Sequence, residues 1–283
     1  MRSLSINSIR NKLDYWRYAD INGVLVLLYH SIANPKSDPH RICVPPNVFV
    51  EHIKMLKNHF RFIGPDDLYH ALRKRIELKK SILVTFDDGY ENNFTVAAKI
   101  LAKEYIPALF FVNTYPVISG ESFWWDRIDK LGLVGKYKRN INPYWTLCDK
   151  DKKGALPPVT IRGLQKISKN KFFSIGAHTH YHSCLAALPH KLQEEQILFS
   201  QSLLKKWLDR PVHYFAYPFG GLEDFNSSTQ TIVRKHFRLG FTTQPFLANP
   251  QLYPTLIPRF NVTNISSNDL LNELKARFPQ FTS

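Results

Sequence analysis

"SILVTFDDGY", residues 81–90, carries a β-forming apolar run straight into two adjacent carboxylates, a glycine and an aromatic ring. Two neighbouring ionised aspartates repel, so a folded chain holds such a pair at a buried strand end only when a cation, a shared proton or water relieves it. Runs of the same kind recur along the chain: "GVLVLLYH" (23–30), "PALFFVNT" (107–114), "FFSIGAHTH" (172–180), "VHYFAYP" (212–218), "LGFTTQ" (239–244) and "TLIPRFNV" (255–262). With residues 81–88 they make seven candidate parallel strands. Amphipathic helical patterns separate several of them, one with Phe49, Ile53, Leu56 and Phe60 on a single stripe, another with Ile197, Leu204 and Leu208. Alternation of this kind predicts a parallel sheet or barrel whose chemistry sits at the C-terminal strand ends, where Asp87 and Asp88 stand.

Composition limits what can relieve the pair. At 283 residues, 44% hydrophobic and 13% aromatic, the chain can bury a full core as one large α/β domain or two small ones. Cys43, Cys148 and Cys184 are odd in number and lack CxxC spacing, so neither a disulfide framework nor a cysteine zinc site is indicated. The first twenty residues lack the apolar core of a secretory signal, and "GVLVLLYH" is far too short to span a bilayer, which predicts a cytoplasmic protein. A formal charge of +15 favours anionic company: nucleic acid, an acidic membrane face or a phosphorylated substrate.

The partner for the aspartates is expected in "GAHTHYHS", residues 176–183. His178 and His182 are four apart, so one helical turn or a tight loop can aim both imidazoles at one point, with His180 directed elsewhere. Two histidines and one carboxylate make a three-ligand site for a divalent metal, and the second aspartate stays beside it as a base. A pair of ordinary core or surface histidines is the plainer alternative.

"TFDDG" (85–89) followed by "HTHYH" (178–182) resembles the first two motifs of the polysaccharide deacetylases, carbohydrate esterase family 4. The resemblance covers about residues 23–262 and implies an α/β fold, a distorted (β/α)7 barrel with parallel strands. It implies Asp87 as general base, Asp88, His178 and His182 as metal ligands, and Thr179 at a position that touches substrate or steadies the loop. "FAYPFG" (215–220) matches the third motif only in part: Ala216 stands where the family has an arginine that pairs with the base, and Phe219 where a backbone N–H completes the oxyanion hole. This variant, and a first strand ending in "LLYHSI" (27–32), are similar to the poly-N-acetylglucosamine deacetylase subgroup. The family's usual C-terminal histidine is missing, since no histidine follows His236; resemblance to the subgroup gives the acid role to His30, the alternative being a hydrogen-bonded structural histidine.

The implied reaction is metal-dependent removal of an N-acetyl group. The metal polarises the carbonyl and acidifies water, Asp87 takes a proton, and His30 protonates the leaving amine. Zinc is the first choice for an N/N/O site, with Co2+, Ni2+ or Fe2+ fitting the same ligands.

Three segments are expected: an N-terminal amphipathic helix (1–22), the barrel (23–265) with an aromatic and basic insertion (119–160), and a C-terminal helix or tail (266–283). Trp124, Trp125, Tyr144 and Trp145 could stack on sugar rings, and Arg127, Lys136, Lys138 and Arg139 could meet phosphates; equally, the insertion could be a lid packed on the barrel rim. Tyr217, Asp126 and Arg259 are taken with Thr179, Trp124 and Trp125 as substrate-contacting residues. Residues 5–16 place Ile6, Ile9, Leu13 and Trp16 on one face beside Arg10 and Lys12, a pattern that suits an anionic membrane surface or a cap on the barrel bottom. The expected partner is an N-acetylated saccharide, either a glycan polymer or a lipid-linked form, the second suiting the inner membrane face. An O-acetyl esterase or deformylase would use the same site, a silent glycan-binding module would not need it, and no recognition motif supports a nucleic-acid partner.

Overall fold

The computed structural model describes residues 23–129, 156–245, 248 and 253–278. The expectations for residues 5–16, Arg127's side chain, Lys136, Lys138, Arg139, Tyr144, Trp145 and Cys148 lie outside these. The main strands are β1 (Leu25–Tyr29), β3 (Ser81–Phe86), β4 (Ala108–Val112), β5 (Phe173–Ala177), β6 (Tyr214–Ala216), β7 (Leu239–Phe241) and β8 (Phe260–Asn261). They hydrogen-bond in the order β7-β6-β5-β4-β3-β1-β8, every pair parallel. A short strand missing from the sequence reading, β2 (Arg61–Phe62), pairs with Ser81 and Ile82 ahead of the first β3–β4 pair at Val84. Two residues are too few for a period-2 pattern to show.

The sheet curls into a distorted (β/α)7 barrel, and its seam is closed by the chain leading into β8. Ile257 bridges to Phe241 of β7, while Phe260 pairs with Leu27 of β1. Gly240 makes the seam possible: a Cβ there would lie 2.7 Å from the carbonyl oxygen of Thr255.

Strand periodicity divides the core. Leu25, Leu27, Tyr29, Ile82, Val84 and Phe86 face outward onto helices α1 (Pro46–His59), where Phe49, Ile53 and Leu56 are buried, and α7 (His190–Leu208), where Ile197 and Leu204 are. Val24, Val26, Leu83, Leu109, Phe111 and Phe241 face inward and fill the barrel, together with Leu68 and Leu72 of α2 (Pro65–Lys74). The Tyr214 hydroxyl donates to Asp66 Oδ1 at 2.6 Å, which fixes α2 across the bottom of the barrel. That helix covers the barrel end.

On the outer layer run α3 (Ala98–Lys103), entered through a π-turn over Asn93–Ala97, then α4 (Thr114–Ser119), α5 (Trp124–Asp129) and α6 (Ile161–Ser168). Beyond α7 come α8 (Ser227–His236) and α9 (Ser267–Arg277), the latter docking Leu270 and Leu274 into the outer core. Cys43 and Cys184 are buried free thiols. Among the described residues no helix is long and apolar enough to cross a membrane.

Candidate metal centre and active site

The inward register that places Leu83 and Thr85 in the barrel continues to Asp87, and that of Gly176 on β5 continues to His178. Both side chains therefore emerge at the top of the barrel interior. Asp88 would face outward by strand alternation, but its φ of 71° and that of Gly89, 91°, turn the chain back. Thr179 (φ 66°), His182 (φ 55°) and Phe219 (φ 61°) are left-handed too. Four non-glycine residues in this sparsely populated region on three neighbouring loops mark backbone held against its preference, as functional sites hold it.

Asp88, His178 and His182 are brought together, each offering one donor atom, all within 4.8 Å of one another. His178 Nε2 lies 3.6 Å and His182 Nε2 3.4 Å from Asp88 Oδ1. The tautomer of His178 follows from its other nitrogen: Nδ1 lies 2.8 Å from the Ala216 carbonyl, which can only accept, so Nδ1 carries the proton. Burial holds the His178 imidazole below its usual value and hence neutral, against the charge of Asp87. Its Nε2 lone pair then points at a carboxylate oxygen. Acceptor facing acceptor in a buried site is repulsive without a cation or a proton between them, and a carbonyl steadying the far nitrogen is the usual support for a metal-binding imidazole. Asp88 carries the same signature: burial, then the charges of Asp87 and Asp126, push its carboxyl well above the ordinary range. The donor set fits a divalent metal of the zinc class.

Asp87 is held differently. Arg259 Nη1 donates to its Oδ1 at 2.6 Å and Nη2 to its Oδ2 at 2.7 Å. Burial pushes this carboxyl up, but Arg259 and His178 outweigh burial and leave it below the usual carboxylate value. Arg259 is itself 0% exposed; it also donates from Nε to the Thr242 carbonyl at 2.8 Å and lies over the Phe111 ring. The arginine expected to be missing at Ala216 is thus supplied from the barrel seam. This corrects the assignment of Arg259 to substrate contact: it is sealed in the interior beneath the base. A readable signal was present, because an arginine inside the apolar run "TLIPRFNV" must find a buried carboxylate.

Burial bears on three further assignments, and for Thr179 and Trp125 it favours the loop-bracing and rim-packing alternatives over substrate contact. Tyr217 is enclosed, and its hydroxyl donates to the Thr255 carbonyl at 3.0 Å. Thr179 is enclosed, and its Oγ1 accepts the His182 N–H at 3.0 Å, bracing the metal loop. Trp125 packs its ring 4.5 Å from that of His182 and donates from Nε1 to the Tyr90 hydroxyl at 2.8 Å. With Tyr90 and Phe123 it forms a small aromatic core over the site, so this part of the insertion is packed on the rim. Trp124 and Asp126 are partly exposed beside it. Phe219 rests on His182, ring centres 4.8 Å apart, and its turn is clamped where Thr243 Oγ1 donates to the Phe219 carbonyl at 2.8 Å.

His30 follows β1 and reaches the same rim. It is partly exposed, and burial, opposed by Asp87 and joined by Arg259 and His178, lowers its imidazole to about 4. Sequence reasoning missed the polar face of α7. Gln196 is buried there, and its backbone and side-chain oxygens accept from the His180 N–H at 3.1 Å and the Tyr181 N–H at 3.0 Å, fixing the loop between the two histidine ligands.

A family model described as polysaccharide deacetylase matches residues 74–237. The poly-beta-1,6-N-acetyl-D-glucosamine N-deacetylase of Staphylococcus epidermidis is 23% identical over 293 residues, covering 94% of this chain and 87% of that protein. The Bacillus subtilis protein YxkH, named for the polysaccharide deacetylases, is 24% identical over 230 residues, covering 79% of this chain. The alignment spans 66% of YxkH's length. Among solved structures, IcaB from Ammonifex degensii superposes with a TM-score of 0.68 at 24% identity, over 92% of this chain and 97% of that one. The Streptococcus pyogenes deacetylase PplD, solved with acetate, gives 0.67 at 22% identity, over 88% and 97%. Both share the fold of this chain.

Proposed function

Because this chain belongs to the polysaccharide deacetylase family, we propose that it hydrolyses the N-acetyl group of an amino sugar in a glycan or lipid-linked saccharide. The observation that carries the reading is the division of labour between two adjacent aspartates, one converging with His178 and His182 on a cation site, the other locked on Arg259. Asp88, His178 and His182 hold the divalent metal, zinc first, which when bound supplies Lewis acidity to the acyl carbonyl and to water.

The chain's own groups handle the protons. Arg259 keeps Asp87 ionised throughout the working pH range, with Oδ2 on the side of His178, 3.8 Å from its Nε2, to take a proton from the attacking water. The developing oxyanion is met by the Phe219 N–H, a donor of a kind worth roughly 3 kcal/mol. His30 gives a proton to the leaving nitrogen. Since its imidazole sits at about 4 and starts neutral, the proton it delivers is the one Asp87 removes from water, which balances hydrolysis of an amide to acid and amine.

The S. epidermidis relative's name supports a β-1,6-linked N-acetylglucosamine substrate. The net charge of +15 and the basic amphipathic pattern at residues 5–16 support a lipid-linked form met at the inner membrane face. Purified, zinc-loaded protein offered N-acetyl, O-acetyl and N-formyl saccharides, with and without polyprenyl phosphate, tests the reading. N-acetyl cleavage abolished by chelator is expected, and O-acetyl cleavage alone would replace deacetylation of an amine with esterase chemistry.

A further inference from the structure

The helix that follows the aspartate loop opens with an anomaly. Over Asn93–Ala97 it widens into a single π-turn before resuming as α3. Such turns are rare, and they concentrate at functional sites because the extra residue displaces side chains from their α-helical directions. At its start stand two consecutive asparagines, Asn93 opening the turn and Asn92 just before it, and both reach the three residues after β1. Asn93 Nδ2 donates to the His30 carbonyl at 2.6 Å, Asn92 Nδ2 donates to Ser31 Oγ at 3.0 Å, and Asn92 Oδ1 accepts the Ile32 N–H at 2.9 Å.

Asn93 shows a second irregularity. It is 0% exposed, and its Oδ1 is buried with no hydrogen-bond partner among the described residues. An orphaned buried acceptor is unfavourable, and leucine would fill the space without one. What leucine cannot do is donate to the His30 carbonyl. The amide is kept for that one bond.

Tyr29 and Phe86 are paired across β1 and β3, and the Asp87 N–H donates to the Tyr29 carbonyl at 3.0 Å. The strands therefore fix Asp87 relative to Tyr29, and an isolated bridge ties Ser31 to Cys43, but His30 between them has no pair of its own. We propose that Asn92 and Asn93 are positioning residues that supply this missing constraint, so that the helix growing from the aspartate loop sets proton donor and proton acceptor in one frame. The inference rests on the reading of His30 as the group that protonates the leaving amine.

The test compares Asn93→Leu, Asn92→Ala and His30→Ala in zinc-loaded protein, on an N-acetyl amide and on 4-nitrophenyl acetate, whose leaving group needs no proton. The ring signals of His30, His178 and His182 are followed by NMR in the metal-free protein. Loss of a proton-transfer group typically lowers rate by about 10²–10⁴-fold, and misplacing it should cost less than losing it. Asn93→Leu is expected to lower kcat on the amide by about 10–100-fold, with zinc content, KM and the ester rate within about threefold of wild type. The His30 signals should shift, and those of His178 and His182 should not. Asn92→Ala, at a partly exposed position, is expected to show the same split at about 3–10-fold, and it carries the test if the buried substitution does not fold. Equal losses on amide and ester, no loss on either, or an unmoved His30 signal would overturn the positioning role. Parallel His30→Ala data locate the fault. A split in His30→Ala without one in the asparagine variants removes the positioning alone, whereas no split in His30→Ala removes the acid on which it rests.

Discussion

The two ends of the barrel interior are built from the same strands in the same inward register, yet they hold opposite chemistry. At the bottom, Val24, Val26, Leu83 and Leu109 meet Leu68 and Leu72 of α2 in an apolar plug. One register step above Thr85, the top layer is Asp87 locked on Arg259, with His178 beside it. The bottom gains stability from burial in proportion to its apolar area. The top gives some of that away, since desolvating a carboxylate and a guanidinium consumes most of what their attraction returns. A barrel can keep one charged layer because the layers beneath it are apolar and closely packed.

The largest effect should come from splitting the charged layer. Arg259→Met leaves Asp87 buried and unpaired, for which a loss of about 3–5 kcal/mol is expected, read from the denaturant midpoint at neutral pH. Adding Asp87→Leu should restore much of that stability while leaving the protein inactive, because a buried pair replaced by apolar groups is often neutral. A double variant no more stable than Arg259→Met alone would break the contrast between the two ends. Next comes the plug. Leu83→Ala should lower stability by about 3 kcal/mol through the cavity it opens, and the protein that remains folded should keep its wild-type kcat.

Of a different kind is the pH response of the rim in the metal-free protein. Burial lowers the imidazoles of His180 and His30 to about 4. The unfolded chain therefore takes up these protons first, near 6.5, while the folded protein resists until about 4. Their contribution to stability is complete above about 6.5 and is lost as pH falls toward 4. Urea titrations across that window should show the decline, and His180→Gln should flatten part of it; an unchanged slope would remove His180 from the account. The smallest effect belongs to the surface. Lys57 and Glu104 pair at 2.6 Å on the surface, their side chains 45% and 37% exposed, and Glu104→Gln should leave the midpoint within error.

What could be read from sequence divides along the same line. Strands announced by period and composition, such as 81–86 and 108–112, are visible because both of their faces are buried and apolar. The pairing of "TFDDG" with "HTHYH" is visible because metal ligation demands particular residue types at short spacing. Contacts between distant segments are not visible: Arg259 and Asp87 are 172 residues apart, and Asn93 and His30 are 63. Nor does composition reveal which aromatics turn inward, so Tyr217 and Trp125 read as substrate contacts until packing places them against Phe225 and His182. Gln196 was hidden for the opposite reason, since a buried polar residue on a helix looks like part of its solvated face.

The central claim is that adjacent aspartates do different work, and metal content measured beside turnover in Asp87→Asn and Asp88→Asn tests it most directly. Asn at position 87 still offers an oxygen to Arg259, so that variant should fold, bind one equivalent of zinc as wild type does, and lose turnover by two orders of magnitude or more, roughly the range for a proton-transfer group. Asp88→Asn, together with His178→Ala and His182→Ala, should lose the zinc itself. If Asp88→Asn retains a full equivalent of metal, or Asp87→Asn retains wild-type turnover, the roles given to the two carboxylates are wrong.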